Sequence, residues 1–329
     1  MRLIRVEWTR LFARRFTRIM LVVILLILGA VAAGVAANSH TLTPADHARA
    51  RAQIAEQQRF FEQAKADCEA ALARGEDVSK RYGPNCDMGQ PTFEESWYLP
   101  YQFDFRQEMQ TFLLVSAGVL ALFGFVVGAS FVGAEWTSGG MTNLLLWRPR
   151  RLVVLSAKLV TMLVGIALAS VLYVAAWVGA FWLIGTYRGT TGKITTGLWE
   201  SLGLTGARAV GLGLAAAAAG FAIASLGRHT ATALGVGIGY ALVVEVGSLI
   251  VFSALGLRDP QRYRLSTYVI AWLFKRYELN SAGPADCTAN GCTVHTYVVT
   301  LGMSSAVLGA VVAVVVLLAF VAMRRRDVT

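Results

Sequence analysis

The sequence predicts an all-α membrane protein of six transmembrane helices, and three observations carry that prediction. Of its 329 residues, 56% are hydrophobic and only 15% charged, with mean hydropathy +0.55. That is too little polar surface for a soluble domain of this length. Six apolar stretches, 19–37, 110–133, 153–186, 206–227, 230–256 and 297–323, approach or exceed the roughly 20 residues that cross a hydrocarbon core. Within them charge enters only at Lys158, Arg208 and Glu245.

The flanks orient the spans. Arg2, Arg5, Arg10, Arg14, Arg15 and Arg18 precede the first, opposed only by Glu7; Arg148, Arg150 and Arg151 lie between the second and third. Arg228 and His229 join the fourth to the fifth, and Arg324, Arg325 and Arg326 follow the last. Six crossings put all of these on one side, which the positive-inside rule makes cytoplasmic. Both termini, including the 324–329 tail, are then cytoplasmic, and the loops 38–109 and 257–296 are external. The first of these holds twelve acidic residues against eight basic, in keeping with that side. The net charge of +10 sits beside the spans, where topology and anionic lipid account for it, so no nucleic-acid partner is inferred. The excess of Arg over Lys, with abundant Ala, Val and Gly, points to a GC-rich bacterial genome and hence a bacterial plasma membrane.

Residues 1–18 intersperse Leu3, Trp8, Leu11, Phe12 and Phe16 with the arginines, the pattern of a basic amphipathic helix in the inner interface. A secretory signal peptide has a similar basic start. The apolar run 19–37 exceeds its core, however, so the first span is read as retained. In the external loop, Thr43 is an N-cap, Pro44 suits the first helical position and Asp46 completes a capping pair. A run of helix formers extends to Arg74, and Gly75 ends it. The aromatics Trp97, Tyr98, Tyr101, Phe103 and Phe105 are expected at headgroup level. Residues 265–279 are apolar but too short to span, which predicts an interfacial or re-entrant helix before the last span.

All four cysteines are external. Of the three possible pairings, loop placement favours Cys68–Cys86 and Cys287–Cys292. Cys287, Cys292 and His295 have ligand-like spacing but no evident fourth ligand, so no metal is expected. Gly192 and Lys193 give the nearest fragment of a phosphate-cradling loop, without its Ser/Thr or upstream Gly, and they lie externally. No nucleotide cofactor is expected on this chain, and no catalytic constellation emerges. Gly124 and Gly128, with Gly235, Gly237 and Gly239, form small-residue faces suited to close helix contact. Glu245 inside a span calls for a partner. The helical rise puts it roughly 22 Å, and Arg208 roughly 28 Å, from the cytoplasmic ends of their spans. The two side chains are therefore read as a possible intramembrane pair.

The segment 134–152 offers a short amphipathic stretch, a Gly139-Gly140 break, a leucine cluster and Pro149 before the third span. It is a knob suited to docking into another protein. Its order of residues resembles the first cytoplasmic loop of the six-helix permease subunits of ATP-binding-cassette exporters, the type-2 permease family. Glu135, Ser138 and Gly139, Leu144 and Leu145, Pro149 and Arg151 occupy the positions of that motif. Lys158 matches a lysine often found early in the third span, and Gly140 stands where Thr is usual. The resemblance implies a non-enzymatic transport subunit that pairs with a second copy or a homologue. Separate ATPase subunits, carrying ATP and Mg, would dock on Glu135, Ser138, Gly139, Leu144, Leu145, Pro149, Arg150 and Arg151. The implied cargo is an amphiphilic drug, peptide, lipid or glycan. A competing reading is a membrane assembly or signalling component that binds a partner through its external loop and transports nothing.

Overall fold

The computed structural model describes residues 2–76, 86, 91–147, 150–255, 260–280, 286–288, 291–293 and 296–325. A short helix α1 (Arg2–Ala13) leads through Arg14 into α2 (Arg15–Asn38). They are followed by α3 (Pro44–Ala73), α4 (Phe105–Thr137), α5 (Gly140–Trp147), α6 (Arg151–Tyr187) and α7 (Thr196–Gly227). The fifth span is interrupted: α8 (Thr230–Tyr240), a wide π-turn over Ala241–Val246, then α9 (Gly247–Ala254). A ten-residue helix α10 (Leu265–Phe274) and the long α11 (Leu301–Arg325) complete the helices. Among the described residues, six helical segments are long and apolar enough to cross a membrane: α2, α4, α6, α7, Thr230–Phe252 and α11.

The loop after the fifth span departs from the all-helical expectation. Strand β1 (Arg276–Asn280) pairs antiparallel with a later strand, Thr296–Thr300; between them β2 (Asp286–Thr288) pairs with β3 (Gly291–Thr293). The Thr296–Thr300 strand, β4, runs directly into α11 and replaces the first turn of the expected last span. Thr296, Tyr297, Val298 and Val299 favour extended backbone through β-branched and aromatic side chains. The β2–β3 register sets Cys287 opposite Cys292. Their side chains, like His295, lie outside the described part of the protein.

The chain divides into two compact units: residues 1–31, 106–181 and 193–329, and residues 32–105 with 182–192. In the first, α4 and α7 approach backbone to backbone. A Cβ on Gly124 or Gly128 would strike the carbonyl of Gly213 or Ala217, and one on Gly220 would strike that of Phe125. The small residues of the second span thus serve a seam with the fourth span. Gly235 and Gly239 have open space where a side chain would stand. Gly165 on α6 makes room for Leu11 of α1, which is fully buried there.

In the second unit the capping read from Thr43 to Asp46 is present, with reciprocal hydrogen bonds between Thr43 and Asp46. These bonds hold the Asp46 carboxyl below its ordinary value. Cys68 and Cys86 are disulfide-bonded, and Gly75 takes the left-handed conformation just past the helix end. A 3₁₀ turn over Glu95–Trp97 is clipped to α3, because Glu95 accepts from His47 at 2.9 Å and pairs with Arg51 at 3.5 Å. The bond from His47 lowers the Glu95 pKa. The aromatic segment expected at the headgroups is split. Phe103 and Phe105 are fully buried, whereas Trp97 and Tyr101 stay exposed. Ser39 fixes this core, donating to the Arg188 carbonyl and accepting from the Phe103 N–H.

The seam yields a paired prediction. Gly128→Ala forces backbone apart and lowers stability by about 1–3 kcal/mol, read as a lower midpoint of thermal unfolding in lipid nanodiscs. Gly235→Ala, which meets nothing, leaves that midpoint unchanged or higher. Equal effects of the two would show that the α4–α7 contact is not tight.

Candidate functional site

Around the start of α6 lies a charged cluster assembled from three distant parts of the chain. Lys158 is fully buried, as is Glu7, and Glu135 nearly so. The Lys158 ammonium lies 2.7 Å from Glu7 Oε2 and 2.6 Å from Glu135 Oε2. Arg14 donates to Glu135 Oε1 at 2.6 Å, and Arg10 to Glu7 Oε1 at 3.2 Å. Arg14 also donates to the carbonyls of Ser130 and Phe131. The Phe131 ring sits under both cations, with Arg14 4.9 Å and Lys158 5.5 Å from its centroid.

Each of the four carboxylate oxygens therefore has a cationic partner, which offsets the desolvation of charges held away from water. Glu7, Leu11 and Arg14 recur at helical spacing, so one face of α1 and the residue after it turn inward together. Of these charges, only Glu135 and Lys158 were singled out by the loop motif. Glu7 and Arg14 belong to the basic flank before the first span. The available signal was Lys158 itself, since a lysine within a span demands a partner, and Glu7 was the lone acid among the preceding arginines.

Beside this cluster α4 stops and α5 begins. Gly139 adopts a left-handed conformation, φ +70°, the backbone state a side chain disfavours. Ser138 Oγ reaches back to the Glu135 carbonyl at 3.5 Å. Met141 and Leu145 are buried and anchor α5, while Leu144 is half-buried. Leu146 and Trp147 are this helix's exposed large apolar residues, 79% and 83% accessible, and the sequence motif singles out neither. A hollow of about 410 Å³ lies against this helix, walled by Arg10, Arg14, Glu135, Asn143, Leu144 and Trp147. Arg150 is exposed and Arg151 half-buried; Arg148 and Pro149 lie outside the described residues. At the neighbouring turn, Arg228 stacks its guanidinium on Trp136 at 5.0 Å, and His229 caps α8 by accepting from the Ala231 N–H.

The two other span charges do not pair as expected. Among the described residues no ion pair joins Arg208 to Glu245; each holds one end of α10 instead. Glu245, in the π-turn, accepts from the Ser266 N–H at 3.1 Å, Ser266 Oγ at 2.7 Å, Arg264 Nε at 3.0 Å and Tyr240 at 2.9 Å. Tyr240 itself accepts from the Leu265 N–H. The first N–H groups of α10 are thus capped from another helix, and Arg264 at the N-cap position makes no side-chain cap. At the opposite end Arg208 donates to the Leu273 carbonyl at 3.4 Å, and Trp272 Nε1 donates to the Arg208 carbonyl at 2.9 Å. A carboxylate at the N-terminus and a guanidinium at the C-terminus both complement the helix dipole.

Among the described residues no group of three or more His, Cys, Asp or Glu is placed to hold a metal. No protein-family model and no curated protein matches the sequence.

Two outcomes follow. Lys158→Met leaves two buried carboxylates short of a partner and destabilises the protein by about 3–5 kcal/mol. Adding Glu7→Gln recovers part of that in denaturant unfolding of the purified chain. A cysteine placed at the buried Thr267 reacts slowly with a maleimide in the otherwise native chain and faster when Glu245→Ala removes the cap. Unchanged labelling would show that α10 is held without Glu245.

Proposed function

We propose that the chain is the membrane-spanning permease subunit of an ATP-binding-cassette exporter in a bacterial plasma membrane, with both termini cytoplasmic. The observation that carries the reading is α5. It is a short helix after the second span, anchored by Met141 and Leu145 and presenting Leu146 and Trp147 outward. Solvent-exposed Leu and Trp at adjacent positions, beside a polar hollow, make the kind of patch that an aromatic hot spot occupies in a protein interface. The resemblance of residues 135–151 to the coupling loop of type-2 permeases supplies the partner: an ATPase chain carrying ATP and Mg.

In this reading the buried cluster is the transmission. Glu135 closes α4 next to α5, Lys158 opens α6, and Glu7 and Arg14 belong to the N-terminal segment. A displacement of α5 therefore pulls three elements at once. Glu135 serves as a positioning residue whose carboxylate is held by Arg14 and Lys158, and Leu146 and Trp147 touch the ATPase. α2 and the fifth span bury almost none of their apolar windows within one chain. They are the surfaces offered to membrane lipid and to a second permease copy. An apolar cleft of about 540 Å³, lined by Leu159, Gly211, Trp272, Leu308 and Val312, suits an acyl chain or another apolar body and supports an amphiphilic cargo.

The test is co-purification from the native host. The tagged chain brings down a cytoplasmic ATPase, and the double variant Leu146→Glu/Trp147→Glu loses it while retaining its unfolding midpoint. Both positions are exposed, so the fold is spared, whereas Glu135→Arg would break the buried cluster. Absence of any ATPase from the wild-type preparation would sink the reading and favour a non-transporting component that engages partners through α3.

A further inference from the structure

We propose that the α3 unit carries a binding groove for an uncharged oligosaccharide. The groove encloses about 850 Å³ along one side of α3, within the roughly 300–1,000 Å³ usual for small-molecule sites. Gln53, Gln57 and Gln63 line it, with Glu56 and Phe60 at helical spacing among them, and Arg59 and Tyr98 complete the wall. Phe60 is 71% exposed, with polar Glu56, Gln57 and Gln63 at the positions three and four residues away.

Three primary amides in one groove offer donors and acceptors together, which is what paired hydroxyls require. The faces of Phe60 and Tyr98 give flat apolar surfaces for the C–H side of a pyranose ring. Arg59 and Glu56 cancel in charge, so the site favours neither a polyanion nor a cation, while each adds a charge-assisted hydrogen bond to hydroxyls. A helical peptide would need a row of apolar anchors and an extended one a free sheet edge; this face has one Phe and a helix. A membrane surface would need a basic stripe beside an apolar one.

The groove is also held in shape before any ligand arrives, which limits the ordering entropy lost on binding. The Cys68–Cys86 bond fastens the far part of α3. The Glu95 clip to His47 and Arg51 holds the 3₁₀ turn that leads directly into Tyr98. This inference does not depend on transport by the bundle.

The experiment uses the full chain in lipid nanodiscs, because maltoside detergents carry a sugar headgroup. Maltohexaose, mannohexaose and chitohexaose are the probes, read by calorimetry and saturation-transfer NMR. At least one hexasaccharide binds with a Kd of about 1 mM or tighter. Phe60→Ala and Gln57→Ala each weaken it by about tenfold, Phe60→Trp retains it, and Leu72→Ala, on the same helix outside the groove, leaves it unchanged. An intact disulfide by mass and an unchanged unfolding midpoint certify that the variants are folded. Three results would overturn the proposal: no binding of any probe up to about 10 mM, binding indifferent to both groove substitutions, or an unstructured peptide saturating the groove that none of the sugars displaces.

Discussion

A lysine buried in an apolar helix is the constraint on which the rest of this architecture depends. A buried charge without a partner is strongly destabilising, and neutralising it locally would need an acid on α6, which has none. The two carboxylates come from α1 and α4 instead, at sequence distances of 151 and 23 residues. Two acids around one lysine leave one excess negative charge, and Arg14 and Arg10 more than offset it from the periphery. The N-terminal segment is therefore a structural member of the bundle, whose Glu7 and Leu11 are buried as deeply as any residue of the spans. Its other side, with Val6 and Arg10, is exposed.

The second use of charge follows a different logic. α10 is only ten residues long, too short for its backbone bonds to satisfy more than part of its N–H and C=O groups. A buried N–H or C=O left without a partner is unfavourable by about 1–3 kcal/mol, so the ends of a short helix weigh heavily in its stability. Glu245 and Tyr240 supply the N-terminal acceptors, and Arg208 supplies a donor at the other end. The π-turn is part of this solution. One extra residue in the turn shifts the helical phase and re-aims the side chains within and after it, Glu245 among them, relative to a regular α-helix.

The six spans, the capping of α3 and its Cys68–Cys86 tie were legible because each is written in local pattern: apolar run length, Thr43 three residues before Asp46, cysteines confined to one loop. What was not legible is pairing between elements. Depth along the helix axis, which the rise per residue gives, placed Arg208 and Glu245 at compatible heights. Rotation about the axis and the identity of neighbours are not contained in that count, so α10 as their shared partner was invisible. The same holds for α5, where leucine identity pointed to Leu144 and Leu145. The helical phase decides which leucine turns inward, and it buries Leu145 while exposing Leu146. The β1–β4 ladder is not legible because Val298 and Val299 join the apolar run of the last span, and a short apolar run does not distinguish strand from helix.

The contacts in the first unit differ in how much they can yield. The α4–α7 seam is backbone against backbone at Gly124, Gly128 and Gly220, with no side chain to change rotamer, so the two helices behave as one piece. The Glu7–Lys158–Glu135 cluster adds α1 and α6 to that piece, because separating any member strands a buried charge. The fifth span buries none of its apolar window within one chain, its ladder widens to a π-turn at Ala241–Val246, and its polar fastening in that stretch is the set of bonds joining Glu245 and Tyr240 to the start of α10. Glu245 stands in that π-turn and caps the start of α10, so the position of α10 is tied to the one wide turn of the fifth span rather than to the seam or the cluster.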